Sequence, residues 1–280
     1  MKLPERVGVY GGGRMGAGIA HAFLVPGCTV VVVEVDDSAV AAAAGRVEAS
    51  TAKAAQRGTL DAPLEAVLDR LTVTADSGRL AECDLVIEAV PEDADLKTSV
   101  LTRVEDLAPQ AVLATNTSSL SVDGLASSLV RPQRFLGLHF FNPVPVSDLV
   151  EIVVGTATDG EVVGSAQEWV QALGKTPITV ADAPGFASSR LGVAIALEAM
   201  RMLESGVASA EDIDLAMTLG YKHPTGPLRT TDVVGLDVRL AIAEHLAREL
   251  GPRFTPPDIL RDKVARGELG RKTGQGFYTW

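Results

Sequence analysis

Short apolar runs alternate with helix-compatible stretches along the first two thirds of the chain. Valine, leucine and isoleucine dominate the segments 7–10, 29–33, 85–89 and 112–114, and alanine-rich stretches separate them. Runs of this length without polar alternation predict strands of a parallel sheet that is covered on both faces. Further strands are predicted at 135–140, 149–154 and 178–180. The regular succession of strands and helices therefore predicts an α/β fold.

The pattern changes at the segment Asp182-Ala183-Pro184-Gly185, after which only helices are predicted, at 186–204, 210–219, 233–250 and 258–266. In the first of these, residues at spacings of three and four form one apolar stripe, which consists of Leu191, Ile195, Ala199 and Met202. The segment 231–250 repeats the pattern with Val234, Val238, Ile242 and Leu246. We therefore expect two domains, residues 1–183 and a smaller, all-helical domain of residues 184–280.

Composition favours small-molecule chemistry. The 280 residues carry a formal charge of −11, which argues against a general nucleic-acid surface but leaves room for a local basic pocket. Cys28 and Cys83 are too few for a disulfide framework or a metal cluster, so we expect reduced core thiols and no bound metal. The N-terminal residues lack the pattern of a secretion signal, and the early apolar stretch 17–33 is interrupted by polar, proline and glycine residues. We therefore expect a cytoplasmic protein that does not enter membranes.

A glycine-rich loop connects the first predicted strand to a helix. Gly11, Gly13 and Gly16 fit the pattern G-x-G-x-x-G, and the helix begins near Met15. Such glycines allow a tight turn, close approach of backbone amides to a pyrophosphate, and close packing of the helix on the strand. Glu34 ends the second predicted strand, where a carboxylate accepts hydrogen bonds from ribose hydroxyls and repels a 2′-phosphate. Together these features predict a Rossmann-type, mostly parallel sheet that binds NAD in preference to NADP.

Motifs spread over almost the whole chain resemble those of one enzyme family. They are DLVIEAVPE at 84–92, the lysine at 97, NTSS at 116–119, HFFNP at 139–143, PGF at 184–186, HPTGP at 223–227, GLD at 235–237 and LGRKTGQGFY at 269–278. Their order and spacing are similar to those of the L-3-hydroxyacyl-CoA dehydrogenases, including the short bacterial 3-hydroxybutyryl-CoA dehydrogenases. The resemblance implies oxidation of an L-3-hydroxyacyl-CoA, with 3-hydroxybutyryl-CoA as the first candidate, to the 3-ketoacyl-CoA, with hydride transfer to NAD.

His139 is the expected catalytic base. The oxidation needs a base within hydrogen-bond reach of the substrate hydroxyl, and an imidazole titrates near neutral pH. Glu151 lies in an apolar predicted strand, where a lone carboxylate would be costly to bury without a partner such as His139. The resemblance implies the same His-Glu pair, and it implies that Ser118 hydrogen-bonds the reacting hydroxyl. Without the resemblance, Ser118 would be interpreted as a helix cap.

The resemblance adds further active-site residues. It implies that Glu92, Lys97, Ser118 and Asn142 lie at the ribose and nicotinamide end of NAD. It also reveals a departure, because Ser189 stands where the family has an active-site asparagine. A serine hydroxyl is shorter than an amide and donates one hydrogen bond, so we expect Ser189 to act differently and substrate choice to be affected.

CoA binding and dimer formation are also implied by the resemblance. Ser50, Lys53 and Arg57 lie at one-face spacing in the helix after the second strand, where a hydroxyl and two cations could contact the CoA phosphates. A solvated helix face is an equally good interpretation of these three residues. In the family the helical domain joins two subunits, so we expect a homodimer, although the apolar stripe could equally be internal core.

Three alternatives remain open at this stage. The enzyme could act on another hydroxy acid, such as 3-hydroxyadipyl-CoA, or on a sugar acid, as an L-gulonate-type dehydrogenase does. It could also be a dinucleotide-binding protein that has lost catalysis, like the lens crystallins related to this family. The presence of both His139 and Glu151 argues against the last alternative, since a structural protein has no need for the pair.

Overall fold

The chain forms two compact units, one ending at Asp182 and the other running from Ala183 to Trp280. The structure, a computed structural model, describes residues 3–280. No helix in this described range is both long enough and apolar enough to cross a membrane.

Eight strands form a single sheet in the first unit. They are β1 Arg6–Tyr10, β2 Thr29–Val33, β3 Leu71–Thr74, β4 Leu85–Glu88, β5 Val112–Thr115, β6 Phe135–Phe140, β7 Leu149–Val154 and β8 Thr176–Ala181. Their order is β3-β2-β1-β4-β5-β6-β7-β8, and all neighbouring pairs are parallel except β6 with β7. The order β3-β2-β1-β4-β5 is that of a Rossmann nucleotide-binding sheet, so the predicted fold class is confirmed.

One strand was not predicted from the sequence. β3 has the sequence LTVT, and all four of its residues are half-buried at one edge of the sheet. Because threonine alternates with apolar residues, the segment lacks the continuous apolar run that marks the central strands. β8 is also longer than the predicted 178–180, since it includes polar and exposed residues at the opposite edge.

Helices cover both faces of the sheet, as its buried strands require. They are α1 Arg14–Leu24, α2 Asp37–Gln56, α3 Leu64–Leu68, α4 Ala94–Leu107, α5 Val122–Ala126 and α6 Gly160–Ala172. In α1, Ile19 and Phe23 are at most 1% exposed and pack in one core with Val7 and Val9 of β1. This packing fixes the start of α1 at the end of β1, and so defines the glycine loop between them.

The second unit is helical, with α7 Ser188–Glu204, α8 Ala210–Leu215, α9 Pro227–Val234, α10 Leu236–Leu250 and α11 Asp258–Ala265. The predicted single helix over 233–250 is wrong, because Gly235 adopts a φ of 109° and separates α9 from α10. Its side-chain-free backbone tolerates this conformation, which L-residues avoid. As a result, Val234 and Val238 are about two fifths exposed and do not continue the stripe of Ile242 and Leu246.

The core face of α7 also differs from the predicted stripe. Its buried residues are Val193, Ala196, Leu197, Ala199 and Met200, which pack with Leu236, Ile242 and Leu246. By contrast, Leu191 is 63% exposed and Ile195 is 37% exposed. The helix is therefore rotated so that half of the predicted stripe faces outward.

Candidate active site

The glycine loop turns sharply between β1 and α1. Gly11 has a φ of 98°, and a β-carbon on Gly16 would lie 1.7 Å from the carbonyl oxygen of Gly11. A β-carbon on Gly13, by contrast, would meet no atom within 4 Å. The loop is therefore tightly packed at Gly11 and Gly16, whereas the space beside Gly13 is open. Such an opening allows a pyrophosphate to approach the backbone amides at a helix N-terminus. Met15 is half-buried in the first turn of α1.

Glu34 lies directly beside this loop. Its Oε1 accepts a hydrogen bond of 2.7 Å from the amide of Gly12, and its Oε2 accepts one of 3.3 Å from the amide of Val35. Arg46 in α2 donates to the carbonyl oxygen of Gly12 at 3.2 Å. Arg46 was not predicted as a site residue, because a single arginine on a helix belongs to no recognisable motif. The carboxylate that follows β2 is thus held beside the glycine loop.

A buried ion pair joins β4 to α4. Nζ of Lys97 lies 2.7 Å from Oε1 of Glu88, and the two side chains are 0% and 1% exposed. Glu88 also accepts hydrogen bonds from the hydroxyl of Thr115 and the amide of Val90. Lys97 was expected to contact the cofactor, but it does not reach the surface of this structure. Instead, Lys97 forms a second ion pair with Glu92, whose Oε2 lies 3.4 Å from Nζ. Glu88 was not predicted as a site residue, because it lies within an apolar strand and the sequence does not indicate its partner.

Glu92 organises the loop after β5. One oxygen, Oε1, accepts hydrogen bonds from the hydroxyl of Thr117 at 2.6 Å and from the amides of Ser118 and Ser119 at 2.9 and 3.0 Å. The hydroxyl of Ser118 lies 3.3 Å from the same oxygen. Burial raises the pKa of Glu92, but the charge of Lys97 and these hydrogen bonds outweigh it and hold the pKa below its ordinary value. A negatively charged Glu92 therefore fixes the position of Ser118.

His139 and Glu151 are direct cross-strand partners in the antiparallel pair β6 and β7. Nδ1 of His139 lies 2.7 Å from Oε2 of Glu151, with the side chains 9% and 0% exposed. The Phe141 ring packs against the imidazole at a centroid distance of 4.4 Å. Oδ1 of Asn116 accepts a hydrogen bond of 2.9 Å from the amide of Phe140, which ties the loop of Ser118 to the end of β6. The antiparallel register thus brings together a histidine and a carboxylate that are twelve residues apart.

Comparison with known proteins agrees with this arrangement. Residues 6–183 match the family description "3-hydroxyacyl-CoA dehydrogenase, NAD binding domain", and residues 185–280 match "3-hydroxyacyl-CoA dehydrogenase, C-terminal domain". The chain belongs to the 3-hydroxyacyl-CoA dehydrogenase family. The resemblance inferred from the motifs is therefore confirmed, and the first unit is an NAD-binding domain of an oxidoreductase.

Individual relatives share the full length of the chain. A probable 3-hydroxybutyryl-CoA dehydrogenase from Deinococcus radiodurans is 41% identical over 278 residues, covering 98% of this chain and 100% of the relative. A 3-hydroxybutyryl-CoA dehydrogenase from Mycobacterium tuberculosis is 41% identical and covers 99% of this chain and 98% of the relative. The crystal structure of (S)-3-hydroxybutyryl-CoA dehydrogenase PaaH1 from Ralstonia eutropha is similar with a TM-score of 0.94, at 40% identity and 99% coverage of both chains.

Two family motifs of the second unit have a structural explanation. Asp214 accepts hydrogen bonds from the amides of Leu228 and Arg229, and a β-carbon on Gly226 would lie 2.2 Å from its side chain. The HPTGP motif therefore packs the start of α9 against the buried carboxylate of Asp214. Asp232 likewise accepts from the amides of Phe277 and Tyr278 in the C-terminal motif. Both motifs therefore contribute contacts that stabilise the helical unit.

The remaining expected site residues lie as follows. Asn142 is exposed just after β6, and Ser189 is half-buried in the first turn of α7. Lys53 and Arg57 are exposed at the end of α2. Ser50 is half-buried, and its hydroxyl lies 3.1 Å from Nδ1 of His21. Burial, with a smaller contribution from the charge of Lys175, lowers the pKa of His21 and favours its neutral form.

Proposed function

We propose that this member of the family oxidises short L-3-hydroxyacyl-CoA substrates, represented by 3-hydroxybutyryl-CoA, to 3-ketoacyl-CoA. The hydrogen bond between Nδ1 of His139 and Oε2 of Glu151 carries the proposal, because it orients the imidazole that acts as the base. When NAD is bound, its nicotinamide accepts the hydride. The fit of the cofactor is supported by the open side at Gly13 and by the carboxylate of Glu34 beside the loop.

His139 performs the proton transfer in this proposal. With Nδ1–H donated to Glu151, the lone pair of Nε2 accepts the proton of the substrate hydroxyl. The carboxylate then stabilises the imidazolium, which would otherwise be costly at a position only 9% exposed. In the direction of reduction, the same Nε2 returns the proton to the carbonyl oxygen.

Other residues position the reactants. Ser118 donates a hydrogen bond from its hydroxyl to the reacting oxygen. Glu92 holds Ser118 in place by accepting a hydrogen bond from its amide, and Lys97, which pairs with both Glu88 and Glu92, holds Glu92. Asn142 is proposed to contact the nicotinamide, and Ser189 is proposed to take the place of the family's active-site asparagine. Because serine has a shorter reach than asparagine, Ser189 leaves more room near the acyl chain.

The CoA moiety is proposed to bind along α2. Lys53 and Arg57 are exposed cations at one-face spacing, suited to phosphate groups in a protein with a charge of −11. Ser50 is proposed to assist them, with His21 as the hydrogen-bond partner of its hydroxyl.

We further propose a cytoplasmic homodimer. Leu191, Leu219 and Tyr221 of the second unit are 63%, 66% and 75% exposed, which is unusual for large apolar side chains and favours burial against a second copy. Cys28 and Cys83 are both free thiols, which suits a reducing compartment. Burial raises the pKa of each thiol, to about 11 and about 12, which lowers its reactivity.

Initial rates with NADH and a series of 3-ketoacyl-CoAs test the proposed function. Acetoacetyl-CoA, 3-ketohexanoyl-CoA and a long-chain 3-ketoacyl-CoA should each be compared at matched concentrations. We expect acetoacetyl-CoA to be reduced, with kcat/KM falling for the long chain. The absence of reduction with every thioester would contradict the proposed reaction, and a preference for the long chain would contradict only the proposed substrate size.

A further inference from the structure

His21 is a buried histidine that takes no part in the catalytic pair. It lies in the last turn of α1 and is only 7% exposed. Its Nδ1 lies 3.1 Å from the hydroxyl oxygen of Ser50, a half-buried residue of α2 that is 29 positions further along the chain. The hydrogen bond joins two helices of the first unit that pack against each other. It therefore fixes the direction in which the Ser50 hydroxyl points.

Ser50 differs in this respect from the next residue of the same helix. A serine or threonine hydroxyl within a helix commonly donates to the carbonyl oxygen four residues earlier. Thr51 does so, with its Oγ1 2.8 Å from the carbonyl oxygen of Val47. Ser50 makes no such bond within residues 3–280, and its oxygen lies beside His21 instead. When Nδ1–H of His21 donates to that oxygen, the hydroxyl hydrogen of Ser50 is left for another acceptor.

Cations flank this hydroxyl on one exposed face of α2. Arg46 precedes Ser50 by four residues, and Lys53 and Arg57 follow it by three and seven, which is the spacing of a single helix face. All three cations are exposed. Glu48, the one acidic residue between Arg46 and Arg57, lies on the opposite face. In a chain with a formal charge of −11, this face therefore favours an anionic acceptor for the Ser50 hydroxyl.

We propose that His21 is a positioning residue for CoA: its Nδ1–H donates to the oxygen of Ser50, and the Ser50 hydroxyl donates to a phosphate of CoA. This inference rests on the proposed function, which places the CoA phosphates along α2. Burial and the charge of Lys175 lower the pKa of His21. The neutral ring carries a single hydrogen, which this arrangement assigns to Nδ1. Successive hydrogen bonds polarise one another, so the donor behind Ser50 strengthens its bond to the phosphate.

A truncated thioester separates the phosphates from the rest of the substrate. Acetoacetyl-pantetheine has the reacting group of acetoacetyl-CoA but lacks the phosphates and the adenosine. His21→Leu should lower kcat/KM for acetoacetyl-CoA by about tenfold, because a hydrogen bond to a charged group is weakened. The loss should be in KM, with kcat nearly unchanged, and kcat/KM for acetoacetyl-pantetheine should stay the same. An equal loss with both thioesters would show a purely structural role and overturn the inference.

Further variants test whether His21 acts through Ser50. Ser50→Ala should lower the preference for acetoacetyl-CoA over acetoacetyl-pantetheine as His21→Leu does, and the double variant should be no worse than Ser50→Ala alone. Additive losses would overturn the inference. His21→Asn should keep most of the preference, because its amide nitrogen can donate in place of Nδ1. Ser165→Ala is the matched control and should change nothing, since Ser165 is a half-buried serine of α6 whose hydroxyl donates to its own helix at Glu161.

The tautomer of His21 can be observed without any variant. Long-range ¹H–¹⁵N spectra of the wild-type imidazole rings should show the hydrogen on Nδ1 of His21 when CoA is bound. A hydrogen on Nε2 alone would overturn the inference, even if His21→Leu does not fold. By contrast, no reduction of acetoacetyl-CoA by the wild type would contradict the proposed function itself. An unchanged preference in the double variant Lys53→Met with Arg57→Met would contradict the proposed place of CoA.

Discussion

Nζ of Lys97 lies 2.7 and 3.0 Å from the two carboxylate oxygens of Glu88, in a pair that solvent hardly reaches. Lys97→Met should lower the free energy of unfolding by about 3–5 kcal/mol, because Glu88 would remain buried without a counter-ion. The double variant Lys97→Met with Glu88→Leu should recover most of that loss. Urea unfolding measures both, and Lys53→Met, at an exposed position, is the control. A loss below about 1 kcal/mol for Lys97→Met would contradict this account of the pair.

Glu34 should favour NAD over NADP. Because its carboxylate is held beside the glycine loop by the amide of Gly12, a 2′-phosphate would meet a fixed negative charge. NADH should be used at least about tenfold more efficiently than NADPH. Glu34→Gln keeps an acceptor for the Gly12 amide and should narrow the difference. Comparison of kcat/KM for both cofactors tests this expectation, and equal use of the two by the wild type would contradict it.

Catalysis should depend on both members of the His139–Glu151 pair. His139→Ala removes the base and Glu151→Gln removes its orienting charge, and each should lower kcat by about a hundredfold or more. The dissociation constant of NADH should change little, since neither residue belongs to the glycine loop. Fluorescence titration of NADH is the control. Parallel loss of binding and turnover would indicate a folding or cofactor defect instead.

Much of the first unit could be predicted from its sequence because local patterns coincide with tertiary positions. Glycines at 11, 13 and 16 mark a turn whose geometry admits no larger residue at Gly16, and continuous valine runs mark strands covered on both sides. His139 and Glu151 could be paired because a carboxylate in an apolar strand requires a partner. Glu88 satisfies the same condition, but its partner lies in a helix where lysine is ordinary, so its role became visible only in three dimensions.

The second unit was less predictable for a physical reason. Helical periodicity shows that a helix has an apolar face, but it does not say which of two adjacent faces meets the core. Leu191 and Ile195 lie on one face of α7, as predicted, but the face that packs in the core is the one with Val193 and Leu197. The break at Gly235 was also missed, because a single glycine within a helical pattern is usually tolerated.

Glu92 should make stability depend on pH. Burial alone would raise its pKa, but the charge of Lys97 and three hydrogen-bond donors of the Thr117–Ser119 loop bring the pKa below the ordinary value of 4.5. A carboxylate with a depressed folded pKa adds stability that is present above the unfolded pKa and is lost as pH falls through the folded pKa. The difference in unfolding free energy between the wild type and Glu92→Gln should therefore be larger at about pH 7 than at about pH 3. Urea titrations at both values test this, and a difference independent of pH would contradict it.

The exposed face of α7 should form part of the dimer interface. Leu191 and Ile195 lie one turn apart on this face, and both are too exposed to belong to the core of their own unit. Light scattering at micromolar concentration should give the mass of a dimer for the wild type. Leu191→Glu combined with Ile195→Glu should give a monomer, because two charges would be buried without partners at the contact. Val130→Glu, at a position 80% exposed in the first unit, is the matched control and should remain dimeric. A monomeric wild type with full activity would overturn the dimer, whereas a dimer that survives the double substitution would refute its placement on α7.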